Sequence, residues 1–208
     1  MVRNGLKEEL LADALGVADT DGALVLIRHG ETDWNAAGRL QGRTDVPLND
    51  VGRAQARQAG AALAGGGWDL LVSSPLQRAV ETATLIGAAA GLELALTLPG
   101  LLERNYGRSE GEYLNGLSEP EMTRIFGVAE AEDAVAERGA AALRRLVDEH
   151  PGRRIIAVAH GTLIRLTMSA LLGRQHPRVP NAQAVPVDLE LLRQHPAGTA
   201  PAATAALA

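Results

Sequence analysis

Two stretches decide the fold, and they are Leu26-Ile27-Arg28-His29-Gly30-Glu31-Thr32 and, far along the chain, Ala157-Val158-Ala159-His160-Gly161-Thr162. Each is an apolar run that ends in His-Gly and opens into a polar stretch of the kind that starts a helix. Continuous apolar strands of this type are typical of a parallel sheet buried on both faces. Such sheets bind ligands at the carboxyl ends of their strands, so His29 and His160 are predicted to lie at one rim.

The residue before the first histidine indicates what this rim binds. Arg28 directly precedes His29 at the end of the predicted strand. An imidazole can attack phosphorus, and a guanidinium can hold the oxygens of a phosphate group through paired hydrogen bonds. The pair therefore favours a phosphate site.

Apolar runs alternate with helical patterns along most of the chain. Strands are predicted at 23–27, 69–73, 92–98, 154–159 and 185–192. Helices are predicted at 49–63, at 74–91 with Ser74 as cap and Pro75 as first residue, at 131–149 and at 162–172. This alternation predicts an α/β protein, a three-layer α/β/α sandwich with a mostly parallel central sheet.

The pattern also divides the chain into three parts. Residues 1–22 form an extension that contains a predicted amphipathic helix at 4–16, which packs on the domain or forms a dimer contact. Residues 23–195 form the one predicted domain. Residues 196–208 consist mainly of Ala, Pro and Thr and are predicted to be a disordered tail. The less regular segment 101–126 is in a position to form a lid.

Composition narrows the classes of function. The 208 residues carry a net charge of −5, with 2% aromatics and no basic run, so no nucleic-acid partner is expected. The absence of cysteine excludes thiol chemistry, disulfides and cysteine-bound zinc. No apolar run approaches the ~18 residues that span a membrane, and the N-terminus lacks the apolar core of a signal peptide. We therefore expect a cytoplasmic protein without a membrane partner, and a homodimer is left open.

Further motifs extend the pattern around the two histidines. They are Arg28–Asn35 (RHGETDWN), Gly38–Gly42 (GRLQG), Pro47–Ala56 (PLNDVGRAQA), Ser73–Ala83 (SSPLQRAVETA), Leu102–Gly107 (LERNYG) with Glu110-Gly111, and Ala159-His160-Gly161. Together they resemble the histidine phosphatase superfamily, also called the phosphoglycerate mutase-like family. The resemblance covers about residues 23–192 and implies the phosphoglycerate mutase-like fold, phosphatase activity and a small phosphorylated substrate, with no metal and no cofactor.

The resemblance also implies a role for each site residue. His29 becomes the nucleophile that is phosphorylated, and Glu103 the general acid. The phosphoryl oxygens are bound by Arg28, Arg78 and His160, with Asn35 and Gln41 as neutral donors and Gly42 and Gly161 beside them. Arg104 and Tyr106 contact substrate if their loop folds inward. Physical chemistry agrees for the nucleophile, because it must be neutral and nearby arginines disfavour a further positive charge on the ring.

Several alternatives stay open at this point. Glu110 or Glu112 could replace Glu103 as the acid, since both lie in the same irregular segment. A 2,3-bisphosphoglycerate-dependent phosphoglycerate mutase is the second enzyme hypothesis, because the LERNYG stretch resembles the mutase version of this motif. The short segment between Glu103 and the helix at 131–149 favours hydrolysis over a mutase. A phosphate-binding module without catalysis is the third hypothesis, but it should lack His29 or Glu103.

Two other interpretations of the motifs are weaker. His29-Gly30-Glu31 has the His-x-Glu spacing of zinc deaminases, but that class needs two cysteines that this chain lacks. The remaining histidines are predicted to be structural or solvated. Among the other arginines, Arg39, Arg43, Arg53 and Arg104 are predicted to be surface residues, unless the loop of Arg104 folds inward.

Overall fold

A computed structural model describes residues 22–195 of the chain. The predicted N-terminal helix at 4–16 and the predicted tail at 196–208 lie outside the described residues. Both remain predictions.

In the described residues five strands form a single sheet. They are β1 (Ala23–Arg28), β2 (Leu70–Ser73), β3 (Leu94–Thr97), β4 (Arg154–Ala159) and β5 (Ala184–Val187). Their order across the sheet is β3-β2-β4-β1-β5. All neighbours are parallel except β5, which runs antiparallel to β1. The predicted mostly parallel sheet is confirmed.

Helices cover both faces of this sheet. They are α1 (Asp33–Ala36), α2 (Asp50–Leu63), α3 (Gln77–Ala90), α4 (Glu119–Phe126), α5 (Glu132–Glu149), α6 (Gly161–Leu172) and α7 (Leu189–Gln194). β1 is buried along its whole length, and its side chains alternate between two cores. Leu24 and Leu26 pack with α5 and α6, whereas Val25 and Ile27 pack with α2 and α3. This division gives the predicted α/β/α layers.

Three predicted boundaries differ from the structure. The helix expected to start at Ser74 begins at Gln77, and Leu76 occupies the cap position. The reason is that Ser74 continues the pairing of β2, since its N–H donates to the carbonyl of Val158 at 2.8 Å. The strand expected at 92–98 is limited to β3 and ends at Thr97.

The strand predicted at 185–192 is the third and largest error. It ends at Val187 because Asp188 caps a helix that follows at once. The Asp188 carboxylate accepts hydrogen bonds from the backbone N–H groups of Glu190 and Leu191, which is the usual capping geometry. The apolar residues after Asp188 are therefore helical.

Two short helices lie in segments expected to be irregular. Thr32 caps α1 within the polar loop after β1. α4 lies within 101–126, and Ser118 and Glu121 form a capping box at its start. Its Ile125 is buried with Leu40 and Tyr106, so this segment packs on the loop after β1.

Candidate active site

His29 and His160 lie side by side at the carboxyl rim of the sheet. β1 and β4 are adjacent and in register, with Arg28 opposite Ala159, so the residues that follow each strand leave at the same height. The His29 N–H extends this ladder by donating to the carbonyl of Ala159 at 2.9 Å. The two imidazole centroids are 5.2 Å apart, and both side chains are buried. The geometry brings together what the two quoted stretches predicted.

Hydrogen bonds fix which nitrogen of His29 is available. Its Nδ1 lies 2.7 Å from the carbonyl oxygen of Gly30, which can only accept, so Nδ1 carries the hydrogen. The lone pair is therefore on Nε2, and Arg78 Nε donates to it at 3.3 Å. Burial, followed by the charges of Arg78 and Arg28, lowers the His29 pKa well below 6.5. The lowered pKa favours a neutral ring whose Nε2 lone pair is directed toward Arg78.

Gly30 is a glycine because another element passes too close for a side chain. A Cβ at this position would lie 2.3 Å from the carbonyl oxygen of Gly52, in the first turn of α2. The Gly30 N–H donates to the hydroxyl of Thr82 on α3 at 3.1 Å. These contacts hold the carbonyl that fixes the His29 tautomer.

Arg78 is fully buried in the first turn of α3. Its two Nη atoms donate to the carbonyl oxygens of Gly42 at 2.6 Å and Thr44 at 3.0 Å, while its Nε faces His29. Burial lowers the Arg78 pKa to about 10, so the guanidinium remains charged near neutral pH. The Gly42 carbonyl thus anchors Arg78. A Cβ on Gly42 would lie 2.8 Å from the carbonyl oxygen of Arg104, which explains the glycine.

Other donors at the rim have hydrogens without a partner in the described residues. The Arg28 Nη1 donates to the carbonyl of Val179 at 2.8 Å, but its Nε makes no hydrogen bond. Gln41 Oε1 accepts hydrogen bonds from Thr32 and Asn35. The buried Nε2 of the same amide has no partner in residues 22–195. Buried donors without partners are costly in a folded protein, and a ligand oxygen would satisfy them.

His160 lies next to His29 and is the second buried imidazole of the candidate site. Its Nε2 lies 2.7 Å from the hydroxyl of Ser74, and its Nδ1 has no partner in the described residues. Burial, then Arg78 and then His29, lower the His160 pKa well below 6.5. Ser74, predicted as a helix cap, instead orients this imidazole.

Glu103 sits at the N-terminus of α6. Its Oε1 accepts from the backbone N–H groups of Arg104 and Leu163, and its Oε2 accepts from that of Thr162. Glu103 as a whole residue is 5% exposed, and it lines the same pocket as His29. Arg138 holds the backbone next to the Glu103 side chain in place. It donates to the carbonyl oxygens of Leu102 at 2.6 Å and Glu103 at 3.1 Å.

The two other candidate acids, Glu110 and Glu112, form hydrogen bonds or ion pairs outside the pocket. Glu110 accepts from the backbone N–H groups of Arg43 and Thr44, and from the Thr44 hydroxyl at 2.5 Å. These hydrogen bonds outweigh burial and lower the Glu110 pKa. Glu112 forms an ion pair with Arg124 at the surface. Neither lines the pocket, so the geometry favours Glu103 among the three.

The remaining predicted binding residues differ in placement. Tyr106 lines the pocket, and its hydroxyl lies 2.8 Å from that of Thr162. Arg104 is buried, contrary to the surface prediction, and it does not line the pocket. Its guanidinium donates to the carbonyl of Glu130 and pairs with Glu132. Asn35 lines the pocket, but its amide donates to Gln41 and accepts from Asn181. Gly161 lies against Arg28, where a Cβ would be 3.2 Å from Nε.

A model of the histidine phosphatase superfamily (branch 1) matches residues 24–203. This chain belongs to that superfamily. It is 34% identical over 151 residues to the uncharacterized phosphatase PhoE of Bacillus subtilis strain 168, covering 73% of this chain and 78% of that protein. It is 35% identical over 159 residues to a probable phosphoglycerate mutase, GpmB of Cronobacter sakazakii, covering 71% of this chain and 74% of that one.

A solved structure extends the comparison to the fold. A mutant phosphoserine phosphatase from Entamoeba histolytica, in complex with phosphoserine, aligns with a TM-score of 0.70 at 27% identity. The alignment covers 79% of this chain and 89% of that structure. The resemblance stated from the motifs and the predicted enzyme class are confirmed: the protein is a histidine phosphatase with a phosphoglycerate mutase-like fold.

Sequence reasoning missed several residues of this histidine phosphatase. Asn181 donates to the His29 carbonyl at 3.0 Å and lies in the segment before β5. Arg165 and Arg178 line the pocket, as does Arg39, which was predicted to be a surface residue. Arg165 had a usable signal, because it lies four residues after Gly161 on a predicted helix and so shares its face. Arg178 and Asn181 had none.

Residues 22–195 contain neither a metal-binding cluster nor a membrane-spanning helix. In this part of the histidine phosphatase, no group of three or more His, Asp or Glu side chains could hold a metal ion. No helix there is long and apolar enough to cross a membrane.

Proposed function

We propose that this histidine phosphatase hydrolyses small phosphomonoesters through a phosphohistidine on His29, without a metal ion. The observation that carries the proposal is the tautomer of His29, whose Nδ1 donates to Gly30 while the Nε2 lone pair faces Arg78. Such an imidazole is oriented and neutral, as a nucleophile must be. Arg28 and Arg78 supply the positive charge that a phosphoryl group needs in the transition state.

In the first step, Nε2 of His29 forms a bond to phosphorus while the bond from phosphorus to the ester oxygen breaks. Positive charge develops on the imidazole, and the Gly30 carbonyl that accepts from Nδ1 stabilises it. The leaving alkoxide takes a proton from the Glu103 carboxyl. Within residues 22–195, Oε2 of Glu103 accepts one hydrogen bond, from the Thr162 N–H, so it has room for that proton.

In the second step, water attacks the phosphohistidine and Glu103 accepts the proton that the water loses. The bond from phosphorus to Nε2 breaks, inorganic phosphate leaves, and His29 returns to its neutral form. Proton transfer by a positioned carboxyl typically contributes ~10²–10⁴-fold to such reactions.

Phosphate release in the presence of EDTA tests the proposed reaction. We expect the enzyme to release inorganic phosphate from p-nitrophenyl phosphate and from several phosphorylated metabolites at rates that EDTA leaves unchanged. The measurement is a colorimetric phosphate assay with the wild-type chain. Activity that EDTA removes and a divalent ion restores would contradict the metal-independent mechanism.

A mutase reaction is the second candidate, supported by the similarity to the probable mutase of Cronobacter sakazakii. A mutase must shield its phosphohistidine from water and return the phosphoryl group to the acid. Only about 30 residues separate Glu103 from α5, which favours access of water. We expect phosphate release to exceed interconversion of 3- and 2-phosphoglycerate. Efficient interconversion that depends on 2,3-bisphosphoglycerate, with little free phosphate, would favour the mutase.

The role of Glu103 is tested by changing the leaving group. In Glu103→Gln the alkoxide loses its proton donor, while p-nitrophenolate leaves without one. We expect kcat/KM, which reports the phosphorylation step and not the later attack of water, to fall by ~10²-fold or more on an alkyl phosphate and by less than about tenfold on p-nitrophenyl phosphate. Steady-state kinetics on both substrates give the two ratios.

The matched control is Glu112→Gln, because Glu112 is a surface carboxylate in the same segment. It should leave both substrates unaffected. Equal losses on both substrates for Glu103→Gln would show that Glu103 acts by binding phosphate or by holding the start of α6.

A further inference from the structure

Asn181 lies at one end of a row of hydrogen-bonded amides that leads into the pocket through Asn35 to Gln41. Asn181 is half-buried in the segment before β5, and its Nδ2 carries two hydrogens. One is donated to the backbone carbonyl of His29 at 3.0 Å and the other to Oδ1 of Asn35 at 3.1 Å. Because a backbone carbonyl can only accept, the His29 contact fixes which way the Asn181 amide faces.

Asn35 links Asn181 to Gln41. Its Oδ1 also accepts from the backbone N–H of Thr32 at 3.3 Å, and an N–H can only donate. Both contacts require the oxygen of Asn35 on that side, so its Nδ2 faces Gln41 and donates to Oε1 at 3.0 Å. The Thr32 hydroxyl donates to the same Oε1 at 3.0 Å. The Nε2 of Gln41 is therefore turned away from this network.

That Nε2 is the donor that the row of amides leaves for a ligand. Gln41 is buried and lines the pocket with His29, and its Nε2 has no hydrogen-bond partner within residues 22–195. A buried donor of this kind is costly unless an acceptor meets it. If the Gln41 amide were turned over, an oxygen would face the pocket and repel the oxygens of a phosphoryl group.

The backbone next to Asn181 is held in a conformation that few residues adopt. Ala182 has a φ of +55°, and it is the one non-glycine residue with a positive φ in residues 22–195. Its N–H donates to the carbonyl of Arg28 at 2.9 Å, directly before the proposed nucleophile. Strained backbone persists only where its surroundings impose it, and it is concentrated at functional sites. The segment thus holds Asn181 in one place relative to His29.

We propose that Asn181 is a positioning residue that acts through Asn35 on Gln41, so that Nε2 of Gln41 donates to the phosphoryl group. The proposal rests on the phosphatase function above, which places that group against His29. Asn181 itself does not touch the substrate. Its removal therefore costs transition-state affinity only while Gln41 is present, which distinguishes this role from general support of the fold.

A double-mutant cycle on orthovanadate binding, measured by calorimetry, tests the proposal without turnover. Gln41→Ala removes the donor and should weaken vanadate binding roughly tenfold, the scale of one hydrogen bond to a charged group. Asn181→Ala should weaken it by about fivefold in the wild-type background and by less than about twofold in the Gln41→Ala background, because residues that act through one contact are non-additive.

The matched control is Gln183→Ala, which removes an exposed amide side chain from the same segment outside the pocket. It should leave vanadate affinity unchanged in both backgrounds. Equal losses from Asn181→Ala in the two backgrounds would show that Asn181 only supports the backbone of His29, and would overturn the proposal. So would an unchanged affinity in Gln41→Ala or in Asn181→Ala alone.

Two further measurements separate this result from a loss of fold and from a failure of the proposed function. Thermal unfolding shows whether each variant is folded. Asn181→Leu, which keeps the branched shape of the side chain without its donors, replaces Asn181→Ala in the cycle if that variant does not unfold cooperatively. Hydrolysis of p-nitrophenyl phosphate by the wild-type chain reports on the phosphatase function alone. Hydrolysis together with additive losses would overturn the role of Asn181 and leave that function in place.

Discussion

Replacing His29 with alanine is expected to abolish both turnover and the phosphoenzyme. No other imidazole among the described residues accepts a hydrogen bond from Arg78, so we expect no side chain to replace the proposed nucleophile. We expect kcat on p-nitrophenyl phosphate to fall by roughly 10⁴-fold or more, the scale seen when a nucleophile is removed from an enzyme. Labelling with a radioactive phosphomonoester should give an acid-labile, base-stable adduct in the wild type and none in the variant.

The control for this variant is His150→Ala, which removes a half-buried imidazole at the end of α5. It should retain both the activity and the adduct. A base-stable adduct that persists in His29→Ala would place the nucleophile elsewhere, and His160 would then be the first residue to replace.

The same imidazole sets the expected acid limb of the pH profile. Burial and the two arginines lower the His29 pKa well below 6.5, so the ring stays neutral as the pH falls through 6.5. A group with a lowered pKa loses its reactive form only below that lowered value. The acid limb of kcat/KM should therefore fall well below pH 6.5. A limb centred at 6.5 would mean that substrate-free His29 titrates as an ordinary surface histidine.

The placement of His29, His160 and Arg78 in the candidate site could be predicted from local sequence. Apolar runs of strand length place His29 and His160 at the ends of two strands. In a parallel sheet these carboxyl ends lie at the same edge, so both histidines are predicted there. Arg78 follows from the same logic, since a helix predicted to start at Ser74, directly after the second strand, places Arg78 near that rim. What local sequence does not contain is that β4 lies next to β1, which is what puts the two imidazoles 5.2 Å apart.

The residues that sequence reasoning missed share one physical feature. Asn181 and Arg178 belong to the irregular segment before β5, where no periodicity indicates which way a side chain points. The Ser-Pro pair predicts that Ser74 caps a helix, but its hydroxyl contacts His160 at the end of the neighbouring strand. Local propensity cannot anticipate such a long-range hydrogen bond. The strand predicted at 185–192 is also shorter than local apolar character suggests. It ends at Val187, because Asp188 caps the helix that follows.

The Arg78→Lys variant should lower kcat/KM by ~10²-fold or more. The guanidinium does three things at once: it holds the loop carbonyls of Gly42 and Thr44 and directs its Nε to the His29 side chain. Lysine keeps the charge but offers one compact ammonium, so it cannot satisfy this fork. Loss of one preorganised transition-state donor typically costs ~10²–10³-fold in rate. Steady-state kinetics on p-nitrophenyl phosphate give the value.

Because Arg78 is fully buried, a loss of activity has to be separated from a loss of fold. Thermal unfolding of Arg78→Lys reports on the fold, and the affinity for orthovanadate, a mimic of the phosphoryl transition state, reports on the site. We expect vanadate binding to weaken in a variant that still unfolds cooperatively. Arg53→Lys is the control, since Arg53 also lies in the first turn of its helix but pairs with Glu81 outside the pocket. A change in kcat/KM below about threefold for Arg78→Lys would show that Arg78 only anchors the loop at Gly42, leaving Arg28 to carry the phosphoryl charge.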